Sequence, residues 1–168
     1  APDAKASSRS PGNWLDLENL TRVEISSEEA AHPVESALIP GQGAGWRAAQ
    51  PGEQTIRIWF VHPLSLRRIY LTFDERERAR TQEFALRWLP SGDEHSREIV
   101  RQQYTFSPPA TTEEIEDYRV DLKDVAELEL KIIPDISGGS ARASLAQMSL
   151  ALFCRKKKVI ASVFCQLR

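Results

Sequence analysis

Only two cysteines, Cys154 and Cys165, occur in 168 residues, too few for a disulfide scaffold. Histidine occurs three times, as His32, His62 and His95, each in a separate connection and never at metal-ligand spacing. A glycine-rich phosphate loop, a nucleophile elbow and a dinucleotide fingerprint are all missing. No apolar run is long enough to cross a bilayer as a helix. Neither sign of charge is in excess: 22 basic against 24 acidic residues leave −2, which excludes nucleic-acid binding through a broad basic face. Carboxylates are plentiful, but nothing in their spacing sets two of them in a cleft, so glycoside hydrolysis has no support. Together these absences point away from an enzyme and imply no cofactor and no metal.

What is present is period-two alternation of apolar and polar residues. Leu15, Leu17, Val23 and Ile25 share one parity. Ile56, Ile58 and Phe60 alternate with Thr55, Arg57 and Trp59, and Ile69, Leu71 and Phe73 with Arg68, Tyr70 and Thr72. The same holds for Phe84, Leu86 and Trp88, and most clearly for Leu128, Leu130 and Ile132 set against Glu127, Glu129 and Lys131. Each run is strand-length and punctuated by Pro, Gly or Asp, as at Pro63, Pro90-Ser91-Gly92-Asp93, Pro108-Pro109 and Gly138-Gly139. No segment carries a long helical stripe, and Tyr118, Val120 and Leu122 favour strand over helix. Many short one-faced strands predict an all-β fold, an antiparallel sandwich or barrel. Residues 1–12 read as a disordered leader, 13–150 as the β domain, and 151–168 as an extra hairpin or an appended tail. The start, Ala1-Pro2-Asp3, carries neither Met nor a basic, apolar leader, as expected of a signal peptide already removed or never included.

If successive strands reverse direction, the connections Ser26–Glu53, Asp74–Gln82, Ser107–Glu114 and Pro134–Arg142 gather at one end. The short ones, His62–Ser65, Pro90–Ser96 and Lys123–Ala126, gather at the other. Long loops on one rim of a rigid sandwich are where binding sites are built. This expectation requires the segment around Trp46 to pair only locally. Candidate ligand-binding residues in those long connections are His32, Glu35, Arg47, Arg80, Asp135 and Arg142. Arginines and carboxylates orient hydroxyls by paired hydrogen bonds, which suits a sugar or another small polar ligand. Ordinary solvated loop polarity is the simpler account of any single one of them. Asp135–Arg142, with Gly138-Gly139 between an Asp and an Arg, reads either as a binding loop or as a flexible connection. Asn19-Leu20-Thr21 matches the glycosylation sequon but falls in an expected strand.

The segment from Glu35 to Arg47, a loop of small residues and glycines running into Trp46, resembles the signature region of the discoidin-like family. These are the galactose-binding-like, coagulation factor type C carbohydrate-binding modules. Pro51–Ile58 and Leu66–Leu71 are similar to the two strands that follow in that family. Phe84–Trp88 looks like its strand before a β-turn, and Leu128–Ile133 and Ser144–Leu150 like its last two strands. The resemblance spans roughly residues 14–150. It implies a jelly-roll-like sandwich that binds glycans, lipid head groups or proteins through loops at one end, without catalysis, in a secreted or periplasmic setting. It also implies that Trp46 packs in the core, against the alternative of a sugar-stacking platform. Pro40-Gly41-Gln42-Gly43 replaces the family's common acidic-Gly-acidic loop, which puts a structural Ca²⁺ in question. The expected function is therefore carbohydrate binding, the alternative an adaptor that docks onto a protein partner.

Overall fold

A computed structural model describes residues 14–153. The leader 1–12, the two cysteines and the basic run Arg155–Lys158 lie outside the described residues. The elements in order are α1 (Leu17–Leu20), β1 (Thr21–Ile25), α2 (Glu35–Leu38), β2 (Trp46–Pro51), β3 (Gln54–Asp74), β4 (Arg80–Pro90), β5 (Arg97–Phe106), β6 (Glu113–Ile133), β7 (Arg142–Leu145) and β8 (Gln147–Leu152). All pairing is antiparallel, along the path β1-β3-β6-β4-β5 with β8 also on β3, and β2 with β7 as a separate two-stranded ribbon.

The alternating runs are strands, and they bury what the alternation says they should. Ile56, Ile58, Ile69, Leu71, Phe73, Phe84, Leu86, Leu128, Leu130 and Ile132 meet in one core. Each such side chain contributes about 1.5–3 kcal/mol by leaving water. Trp46 is also in this core, 1 % exposed, with its indole N–H donating to the carbonyl of Ser27 at 3.1 Å.

Three local expectations need correction. The stretches 54–60 and 66–73 are halves of one strand, β3, and 115–122 and 127–133 are halves of β6. These two long strands pair along their whole length, and their register shifts between Trp59 and Arg68. The first half of β3 pairs with β1 and the second with β8, so the ribbon passes from one layer to the other through a bend. At that bend Asp124 adopts φ 53°, a left-handed conformation that Asp tolerates better than most residues. The second correction is at the start: Leu17–Leu20 form a helical turn capped by Asp16, whose carboxylate accepts from Glu18 N at 3.0 Å. Asn19 of the sequon therefore stands on this turn and not in a strand. Third, 143–150 is broken at Ala146, with β7 serving the ribbon and β8 the main path.

Hydrogen bonds place the connections. Glu75 N donates to Thr112 O, Ile136 N to Thr81 O, and Gly52 N to Ala141 O, so all four long connections interlock with one another. At the other pole, Ser91 N donates to Asp124 O at 2.7 Å, and Leu64 and Pro90 both sit opposite Val125. Because β2 pairs only with β7, the Trp46 segment does not disturb this arrangement.

Candidate functional site

On the pole of interlocked connections, a hollow of about 150 Å³ is lined by His32, Arg47, Asp74 and Ser144, with Trp46, Leu145 and Ala146 among the residues beneath. Its frame is main chain. Arg47 N donates to His32 O at 3.1 Å, Glu29 N to Arg47 O at 2.9 Å, and His32 N to Glu29 O at 2.9 Å. These bonds stitch the 29–32 turn to the edge of β2, while Arg47 faces Ser144 across the β2–β7 ribbon. Gly45 lets the two segments approach: at φ +104°, a Cβ there would lie 2.6 Å from the Leu145 carbonyl and 2.8 Å from Ala146 Cα. Ala146 N is in turn anchored to Thr72 O at 2.9 Å, two residues before Asp74.

The side chains around the hollow are chemically mixed. Arg47 is exposed and brings a fork of N–H donors; His32 adds a ring that can donate and accept. Asp74 ends β3 as an exposed residue, yet surrounding protein crowds its carboxyl and raises its pKa, against the pull of Arg76. A donor fork, an imidazole and a carboxylate around one small space can hold adjacent hydroxyl groups from several directions.

Of the six sequence candidates, the hollow brings together His32 and Arg47. Arg142 stands nearby on β7, its Nη1 paired with Glu29 at 2.6 Å, and so braces the turn that carries His32. Asp135 turns its carboxylate onto Ser137 N at 2.9 Å, shaping its own loop. Glu35, on α2, opens onto a separate groove beside β1. Arg80 is only 5 % exposed. Its guanidinium donates to Glu75 at 2.7 Å, Pro134 O at 2.6 Å and Gln82 at 3.3 Å, and it lies 4.8 Å from the ring centre of Phe106. Arg80 thus locks the rim from below. Asp74 escaped the sequence reading because it opens a mixed-charge run; its place as the last residue of an alternating strand was the available signal.

Below the rim lies one more ionisable group of note. Glu114 is 1 % exposed, and burial, reinforced by Glu116, pushes its pKa up to about 7. Gln82 Nε2 reaches its Oε1 at 3.4 Å, while its Oε2 has no partner among the described residues. Glu75 behaves oppositely. Burial opposes its ionisation, but the Arg80 hydrogen bond and amide donors from Glu77 and Arg78 hold its pKa below the usual value. Glu114 does not line the rim hollow. Among the described residues no group of His, Cys, Asp or Glu is arranged to hold a metal ion, and no helix is long and apolar enough to cross a membrane.

No protein-family model and no curated protein matches the chain. Solved structures do. The family 32 carbohydrate-binding module of NanJ from C. perfringens, in complex with galactose, superposes with a TM-score of 0.57 at 15% identity, covering 77% of this chain and 92% of that one. The family 32 module of AlyQ, in complex with 4,5-unsaturated mannuronic acid, gives 0.58 at 13% identity over 82% of this chain and 96% of that one. An F5/8 type C domain from Bacteroides fragilis gives 0.56 at 14% identity over 83% and 97%. The antiparallel layers, the bent β3–β6 ribbon and these superpositions agree: the chain has the galactose-binding-like β-sandwich fold of the discoidin-like carbohydrate-binding modules.

Proposed function

We propose that this chain is a non-catalytic carbohydrate-binding module that takes a sugar residue at the rim through Arg47, His32 and Asp74. The observation that carries this reading is a small hollow on the pole of the long connections, where Arg47 and His32 from the first of them and Asp74 at the start of the second bring a basic fork, an imidazole and a carboxylate together. Its volume, about 150 Å³, suits one sugar ring or its terminal part and not a long polymer. The solved folds it resembles include modules holding galactose and an unsaturated uronic acid, which supports a saccharide as the ligand class.

Isothermal titration with galactose, N-acetylgalactosamine, mannuronate and pectic oligosaccharides tests the reading. The expected result is saturable binding to at least one of them that falls when Arg47 is replaced by Ala. Tight binding to a protein or lipid with no affinity for any saccharide would overturn it.

A further inference from the structure

Glu114 is the second residue of β6, and one oxygen of its buried carboxyl, Oε2, meets no hydrogen-bond partner among the described residues. The other oxygen begins a chain of buried side chains that ends at Glu75. Gln82 Nε2 donates to Glu114 Oε1 at 3.4 Å, Arg80 Nη1 to Gln82 Oε1 at 3.3 Å, and Arg80 Nε to Glu75 Oε1 at 2.7 Å. Glu75 is the neighbour of Asp74, the carboxylate of the rim hollow. The main chain makes a second link to the same place. Glu75 N donates to Thr112 O at 2.8 Å, and in the β3–β6 ladder Asp74 stands opposite Glu113 and Phe73 opposite Glu114. Side chains and backbone thus tie Glu114 to the corner of the rim that carries Asp74.

The groups around Glu114 make its charge costly. Glu116, two residues further along β6, repels it; Arg80 and Gln82 of β4 favour it; β3 sets the apolar ring of Phe73 opposite. The hydroxyls of Tyr118 on β6 and Tyr104 on β5 donate elsewhere, to Gln102 and to the Glu113 carbonyl. Burial outweighs the attraction of Arg80, so the carboxyl holds its proton up to about pH 7. Once ionised it is a buried charge with one bare oxygen, and such a charge demands a partner. The cation that attracts it, Arg80, is already shared between Glu75 and the Pro134 carbonyl at 2.6 Å. What Arg80 gives to Glu114 it withdraws from Glu75. The other relief, movement of the end of β6 towards water, breaks the bond from Glu75 N to Thr112 O. Both routes loosen the Asp74 corner.

We propose that Glu114 is a proton switch for the rim: protonated, it leaves Arg80 to hold Glu75 and keeps Asp74 in place for a ligand; ionised, it releases that corner and weakens binding. The identity of the ligand rests on the saccharide reading above, whereas the movement of the corner does not.

The test follows the backbone amide shifts of the 168-residue chain without sugar, between about pH 5.5 and about pH 8.5. Wild type is compared with Glu114→Gln, whose side chain is neutral throughout. The expected result is a transition near pH 7 at Asp74, Glu75 and Thr112 that is lost in the variant. Isothermal titration with galactose, N-acetylgalactosamine, mannuronate and pectic oligosaccharides at both ends of that range reads the consequence. Wild-type affinity should fall about fivefold or more from the acid to the alkaline end, beyond any change in Glu114→Gln, which records other titrating groups such as His32. An amide transition that survives in the variant, or none near neutral pH, overturns the inference, as does a parallel pH dependence of affinity in the two proteins. Failure of every saccharide to bind would sink the rim reading, while the amide transition still decides for or against the switch.

Discussion

Arg47 donates its backbone N–H to the carbonyl of His32 at 3.1 Å, so two residues fifteen apart in sequence are joined by main chain at the lip of one hollow. The positions of their Cα atoms do not depend on the side chains that would touch a ligand. Replacing either side chain therefore leaves the frame in place. Arg47→Ala and His32→Ala should each lower saccharide affinity about tenfold or more, the worth of one or two hydrogen bonds to a charged or polar ring group. Thermal midpoints should stay within a degree or two. Calorimetric titration and a melting curve on the same samples check both halves of the statement.

Gly45 makes the opposite experiment. A methyl group there meets Leu145 O at 2.6 Å, at a φ that alanine adopts only with strain. Gly45→Ala should push β2 away from β7, costing about 1–3 kcal/mol in denaturant unfolding and weakening sugar binding together with stability. Normal affinity in this variant would show that the ribbon does not shape the hollow.

Arg80 is the buried cation on which the rim rests. Arg80→Met removes the partner of Glu75 and the donor to the Pro134 carbonyl and Gln82 Oε1, leaving three acceptors and the neighbouring Glu114 without it. A loss of about 3–5 kcal/mol is expected, as when one member of a buried pair is deleted. Chemical denaturation measures it, and Arg80→Lys, which keeps the charge but not the fork, should recover only part.

Glu114 gives the pH dependence. Its folded pKa, raised by burial to about 7, lies above the ordinary 4.5. The folded state thus holds a proton that the unfolded chain gives up first. This contribution is full below pH 4.5, declines as pH rises, and is gone once the pH passes about 7. Glu114→Gln should flatten the stability profile across that window, where a single extra proton gives a slope of at most about 1.4 kcal/mol per pH unit. Denaturant midpoints between pH 4.5 and 8 for both proteins check it. Parallel profiles would refute the assignment.

Strands such as Leu128–Ile132 were legible because one face of each is buried, and burial writes a period of two into the residues. The bends were not. His62-Pro63 and Lys123-Asp124 interrupt the alternation just as a turn would, whereas the backbone carries the β3–β6 ladder through the corner and merely shifts register. The helical turns at Leu17–Leu20 and Glu35–Leu38 hold four residues each, too few for a 3.6-residue period to show.

The sequence by itself determined the all-β class and the faces of the strands, because both depend on local alternation; the long connections still group at one pole because the β3–β6 ribbon bends into the other layer where the chain was expected to reverse. Only the tertiary structure decided which polar residues meet. His32, Arg47 and Asp74 share a hollow, Arg80 is buried against Glu75, Pro134 and Phe106, and Glu35 faces another groove, although all five stand in or at the ends of the same irregular connections. The reason is that alternation records only whether a residue meets the core or water. Which distant residues become neighbours is set by sheet order and by ties such as Arg47 to His32 and Ala146 to Thr72, and those leave no periodic trace.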